Sequence, residues 1–134
     1  MSEIAKFVNN GSASITPAIA EKVLRHLPQW KLEFTQIHAP NFPHLVDQLE
    51  FLADAVEDAI EGAYNELPYG ALAQAVFALI YAHKKIGIIP ETILELGRAD
   101  DSSVVRAVLI QNEKTFAIYA GAQGCDWQRI TSQP

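Results

Sequence analysis

The sequence predicts an all-α domain: a single small bundle of four to five helices around a buried central helix at about residues 68–85. Three observations predict it. Residues 70–82, GALAQAVFALIYA, are apolar on every side, and a helix with no polar face must be surrounded by others. Residues 44–65 repeat apolar side chains at steps of three and four, the period of a helix with one buried stripe. No segment shows the period-two alternation and β-branched enrichment of a strand.

A length of 134 residues fits one domain, with enough chain to bury a core without staples. Residues 1–15 are small and polar and read as a disordered leading segment, 16–121 as the helical domain, and 122–134 as a weakly ordered tail. Thr16-Pro17 opens the first helix, with Thr16 as N-cap and Pro17 at the first helical position. That helix is expected to stop at Leu27, before Pro28, with a short turn near Leu32–Ile37 and a break bracketed by Pro40 and Pro43.

In the helix over 44–65, Leu45, Leu49, Leu52, Val56, Ala59 and Ala63 share one stripe. Asp47, Glu50, Asp54, Glu57, Asp58 and Glu61 fall opposite, at ~100° per residue. An acidic stripe directly away from the apolar one reads as solvated surface. A functional reading would require carboxylates from a second element facing it across a crevice. Leu67-Pro68 starts the central helix, and His83-Lys84-Lys85 places cations at its negative end.

The stretch IGIIPETILELGRADDSSVV, residues 86–105, has a structural reading for every unusual residue. Gly87 ends the central helix, Pro90 starts a short one with Glu91 in its first turn, and Gly97 stops it. Asp100 or Asp101 then caps a last helix running to about Tyr119, on which Val104, Val105, Val108, Leu109, Phe116 and Tyr119 share a face. Asn112 lies in the middle of that face, so it must be hydrogen-bonded to a loop carbonyl or another side chain. Gly121 and Gly124 close the helix.

Composition excludes several functions. A net charge of -6 opposes nucleic acid or anionic lipid as partner, since both need clustered Lys and Arg. One cysteine, Cys125, leaves no internal disulfide and no Cys-based zinc site. No run approaches the ~18 apolar residues of a transmembrane segment. Residues 1–14 lack the pattern of a signal peptide, which points to the cytoplasm. His26, His38, His44 and His83 are scattered, without metal-ligand spacing, and Ser102 and Ser103 have no neighbouring histidine to act as base. No catalytic residues and no cofactor are expected. Trp30 and Trp127 fall outside the expected core helices and close one end of the bundle or sit at an interface.

Two functions follow. The first is a non-enzymatic protein-interaction module, binding a protein partner or itself through apolar surface that includes Phe42, Phe51, Tyr69 and Trp30. The alternative is a divalent-cation or small-ligand site, with or without hydrolysis, at Glu91, Asp100 and Asp101. Oxygen ligands of this kind suit Mg²⁺, Mn²⁺ or Ca²⁺.

KKIGIIPETILELGRADD also resembles the signature of the YkvA-like family, small helical bacterial proteins of unknown function. Ile88, Ile89, Pro90, Glu91, Gly97, Asp100 and Asp101 match its pattern, with Pro90 and Gly97 as family hallmarks. The family usually has Asp where this chain has Gly87 and Glu91. The resemblance implies an all-α fold and brings no established reaction. Association of some relatives with membranes would be a third reading, which the acidic charge opposes.

Overall fold

The structure, a computed structural model, describes residues 3–84 and 91–130, with backbone only for residues 84 and 91–99. Every regular element among them is a helix: α1 (Glu3–Ser12), α2 (Pro17–Phe34), α3 (Leu45–Glu61), α4 (Tyr69–Lys84), α5 (Glu91–Gln111), α6 (Glu113–Ala122) and α7 (Trp127–Ile130). This is an all-α bundle. Helix α4 is its axis and packs against α1, α2, α3 and α5. Ala75, Val76, Ala78, Leu79 and Ala82 are fully enclosed, the alanines allowing neighbours close. One side of α4 is less covered than its composition implies: Phe77, Ile80 and Tyr81 are half-buried, and Tyr69 is 46% exposed.

Residues 3–12, expected to be disordered, form α1, and α1 packs on α4 and α5. Ala5 and Val8 are buried, and Phe7 meets Phe77 and Tyr81 edge-on at 5.5 and 5.6 Å. Asn9, Asn10 and Gly11 form helix poorly, but tertiary packing overrides that preference. Asn9 Oδ1 accepts a hydrogen bond from Gln74 Nε2 at 3.2 Å. Gly11 lies so close to Phe77 that a Cβ would strike the ring. Gly11→Ala is therefore expected to destabilise the fold by about 1–2 kcal/mol, since overpacking exceeds the gain in helix propensity. Asn10→Ala, on the exposed side of the same helix, is expected to be neutral or stabilising. Denaturant titration compares the two, and a stabilising Gly11→Ala would mean that α1 does not dock on α4.

Thr16 caps α2 as expected, its Oγ1 accepting from Ile19 N–H at 3.2 Å. Pro28 does not end that helix, which runs on to Phe34. Proline removes one backbone hydrogen bond, while buried Leu27 and Phe34 anchor the helix on either side of it. Trp30 therefore lies within a core helix, where His26 and His83 stack on it with centroids at 6.2 and 4.1 Å. His83 Nε2 also lies 2.9 Å from Glu33 Oε2.

Helix α3 ends at Gly62, whose φ of +84° is the left-handed conformation glycine adopts without strain. Its buried face is wider than one stripe, adding Gln48, Phe51, Ala53 and Ala55, whereas Ala63 lies beyond the helix and is exposed.

The predicted last helix is two. Helix α5 begins at Glu91 and continues to Gln111, so Gly97 does not end a helix and neither Asp100 nor Asp101 is a cap. The interruption falls instead at Asn112, with φ -120° and ψ 30°. Its Nδ2 donates to Gln74 Oε1 and to the Val108 carbonyl, both at 2.8 Å. The Val108 carbonyl also keeps the backbone hydrogen bond from Asn112 N–H at 3.2 Å, so the side chain shares that acceptor at the break between the two helices. With Gln74 bonded onward to Asn9, this network ties α5, α4 and α1 together.

Candidate functional site

The acidic side of α3 is not bare. Helix α6 ends in a turn at Gly124, φ +71°, with Cys125 N–H donating to the Ala120 carbonyl at 2.8 Å. This six-to-one bond is the closing bond of a Schellman turn. It sends the chain back across α3 as α7, within the segment expected to be a weakly ordered tail. Asp126 Oδ1 accepts from Gln128 N–H at 3.0 Å and starts that last turn. Trp127 then packs on Phe51 with centroids 5.8 Å apart.

Between α3 and this returning segment lies a cleft of about 580 Å³. Asp47, Glu50, Asp54 and Asp58 line it from α3, Asp126 faces them, and Phe51 and Tyr119 are among its apolar walls. Arg129 is the single cationic residue of the lining. The second element that a functional reading of the acidic stripe requires is thus present.

Tyr119 holds one wall. Phe51 and Tyr64 meet its ring edge-on at 5.5 and 5.0 Å. Its hydroxyl donates to Asp58 Oδ2 at 2.5 Å. Burial raises the phenol's pKa above its ordinary 10.0, and the hydrogen bond to Asp58 and the charges of Asp58 and Asp54 raise it further. At the rim, Lys31 donates to Asp54 at 2.6 Å and also to Glu57. Partial burial opposes the Lys31 charge, but hydrogen bonds and attraction to both carboxylates outweigh it, so its pKa is raised above 10.5.

Both shifts have the same consequence. The folded chain holds these two protons at pH values where the unfolded chain has begun to lose them. Their stabilisation is whole below pH 10 and diminishes as pH rises beyond the ordinary values of 10.0 and 10.5. Tyr119→Phe is expected to make the alkaline fall in unfolding free energy shallower, leaving the Lys31 part. It should also remove the latest-titrating step in tyrosinate absorbance. An unchanged alkaline limb would mean that the Tyr119–Asp58 bond contributes nothing.

Neither Asp100 nor Asp101 is part of the lining of this cleft. Residues 85–90 lie outside the described residues, Pro90 and the expected Gly87 turn with them. Gly97 is internal to α5. Asp101 is fully buried while its neighbour Asp100 is exposed, as two successive helical positions ~100° apart allow. Glu91 starts the same continuous helix, about 15 Å along the axis from Asp101 at 1.5 Å per residue. A span of that length does not bring Glu91 and Asp101 onto one ion. Among the described residues, no three His, Cys, Asp or Glu side chains come together to hold a metal.

Of the aromatics expected to form an apolar patch, Phe51 is buried, Phe42 and Trp30 are half-buried, and only Tyr69 is exposed. The other large apolar side chains exposed among the described residues are Phe7, Ile19, Leu32, Ile110 and Ile118. Cys125 is exposed in the cleft lining, which it shares with the carboxylates and Arg129. No helix among the described residues is long and apolar enough to cross a membrane.

The sequence marks the α3 carboxylates but reads them as solvated surface, and it gives Tyr119, Asp126 and Arg129 no place in a site. No spacing signal connects residues so far apart in the chain. Gly124 was the one usable sign, since a glycine after a helix marks a place where the chain can reverse. No protein-family model matches the chain, and no curated protein or solved structure matches it.

Proposed function

We propose that the chain is a non-catalytic helical binding module that receives a basic segment of a protein partner in the cleft between α3 and α7. One observation carries this reading: five carboxylates and one guanidinium share a cleft with aromatic walls. Carboxylates accept bidentate hydrogen bonds from arginine, and an adjacent aromatic wall suits its flat, weakly hydrated guanidinium. The overall charge of -6 steers a basic partner toward the molecule and repels an acidic one. The likeness of residues 88–101 to the YkvA-like signature agrees with a helical module and adds no reaction to it.

Calorimetry with a hexa-arginine peptide tests the reading. Binding is expected at low ionic strength and should weaken about tenfold in a Glu50→Gln, Asp126→Asn variant. A Glu21→Gln, Glu113→Gln variant removes as much charge from exposed positions outside the cleft and should bind as the wild type does. Equal weakening in the two variants would reduce the effect to net charge, and absence of binding would overturn the proposal.

A further inference from the structure

The cleft already contains a cation, and it belongs to the chain itself. Arg129 Nε lies 3.4 Å from Asp47 Oδ2, and Arg129 and Ile130 are both part of the cleft lining. The element that carries Arg129 is weakly held. Helix α7 has four residues, none of them buried. The arginine side chain is 72% exposed, and so open an ion pair is weak and readily screened by salt. The apolar ties of α7 are the tilted packing of Trp127 on Phe51 and a half-buried Ile130 against the core. The turn leading into α7 pivots at Gly124, with exposed residues on either side.

We propose that α7 is an autoinhibitory strap: Arg129 sits among the carboxylates in place of a partner's cation, and a basic segment binds by displacing it. This rests on the reading of the cleft as a site for basic segments. A competent cleft is then only the strap-open fraction of the population, and apparent affinity is reduced by that fraction. Anything that opens the strap must tighten binding, and binding must in turn open the strap. Phe51 and Tyr119, under the strap and in the aromatic wall, would then lie against the incoming segment.

The decisive variant is Trp127→Ala. It loosens the strap without changing any charge, unlike Arg129→Ala, which would favour a cationic peptide by electrostatics alone. Trp127 is outside the cleft lining, and with no residue of α7 buried the fold should persist, as thermal unfolding would verify. Hexa-arginine is expected to bind Trp127→Ala about fivefold or more tightly than the wild type. In a Trp30→Phe background, where Trp127 is the remaining tryptophan, acrylamide quenching of its fluorescence should rise when the peptide saturates the cleft.

Peptide binding with affinity unchanged or lowered in Trp127→Ala, and with Trp127 quenching unaltered at saturation, would overturn the strap and leave the cleft standing. No binding to the wild type, to Trp127→Ala or to Arg129→Ala would overturn both.

Discussion

Replacing Phe116 with alanine is expected to destabilise the protein by about 3–5 kcal/mol, the range for emptying a large buried aromatic site. Phe116 is fully buried on α6. Its ring meets Phe51 edge-on at 5.9 Å, and Phe51 in turn touches Tyr119 at 5.5 Å and Trp127 at 5.8 Å. Such aromatic pairs add roughly 0.5–1.5 kcal/mol beyond the area they bury. The cavity would open beneath the wall of the cleft, where Phe51 and Tyr119 would lose a supporting neighbour. A domain of this size is stable by only about 5–15 kcal/mol, so the variant should sit close to unfolding at ambient temperature. In urea the midpoint should fall while the slope stays unchanged, since the surface exposed on unfolding is nearly the same. A loss under 1 kcal/mol would mean that α6 is not packed on α3 as described.

The second large effect separates two adjacent carboxylates. Asp101→Ala is expected to cost about 3 kcal/mol, and Asp100→Ala less than about 0.5 kcal/mol. The residues have the same chemistry and differ in surroundings. Asp101 is fully buried within α5, so replacing it empties enclosed volume and removes the interaction it makes there. Asp100 is exposed, and water replaces what it contributes. Unfolding of both variants, with and without millimolar Mg²⁺, Mn²⁺ and Ca²⁺, also distinguishes the cation reading of this stretch. A structural Asp101 predicts the same loss in every buffer and no cation-induced rise in the wild type. A rise of several degrees that Asp101→Ala abolishes would restore a metal site there. Equal losses near 1 kcal/mol in both variants would instead return the pair to helix capping.

These tests bear on how far the sequence could be read. The all-α class, α3 and α4 were legible because periodicity is a local property. Leu45, Leu49, Leu52 and Val56 recur at helical steps, and residues 70–82 have no polar side to offer water. The Thr16 cap and the need of Asn112 for a partner were legible for the same reason, since one residue's chemistry dictates them. Breaker rules were weaker guides. Pro28 and Gly97 each cost a helix something local, and both helices continue through them. The carboxylates of 86–105 stand out in the sequence, whereas the cleft is lined from α3, the end of α6 and the segment that follows it.

By itself, then, the sequence determined the all-α class, the helices α3 and α4, and which α3 face is acidic. Only the tertiary structure decided that residues 3–12 fold, that α5 runs unbroken through Gly97, and that α7 crosses the acidic face. The first and the last depend on groups distant in the chain: Phe77 and Gln74 for α1, and Phe51 and Asp47 for α7. A helix period reports which side of a segment seeks burial. It does not report what will cover that side, because the covering element is chosen by packing over the whole chain.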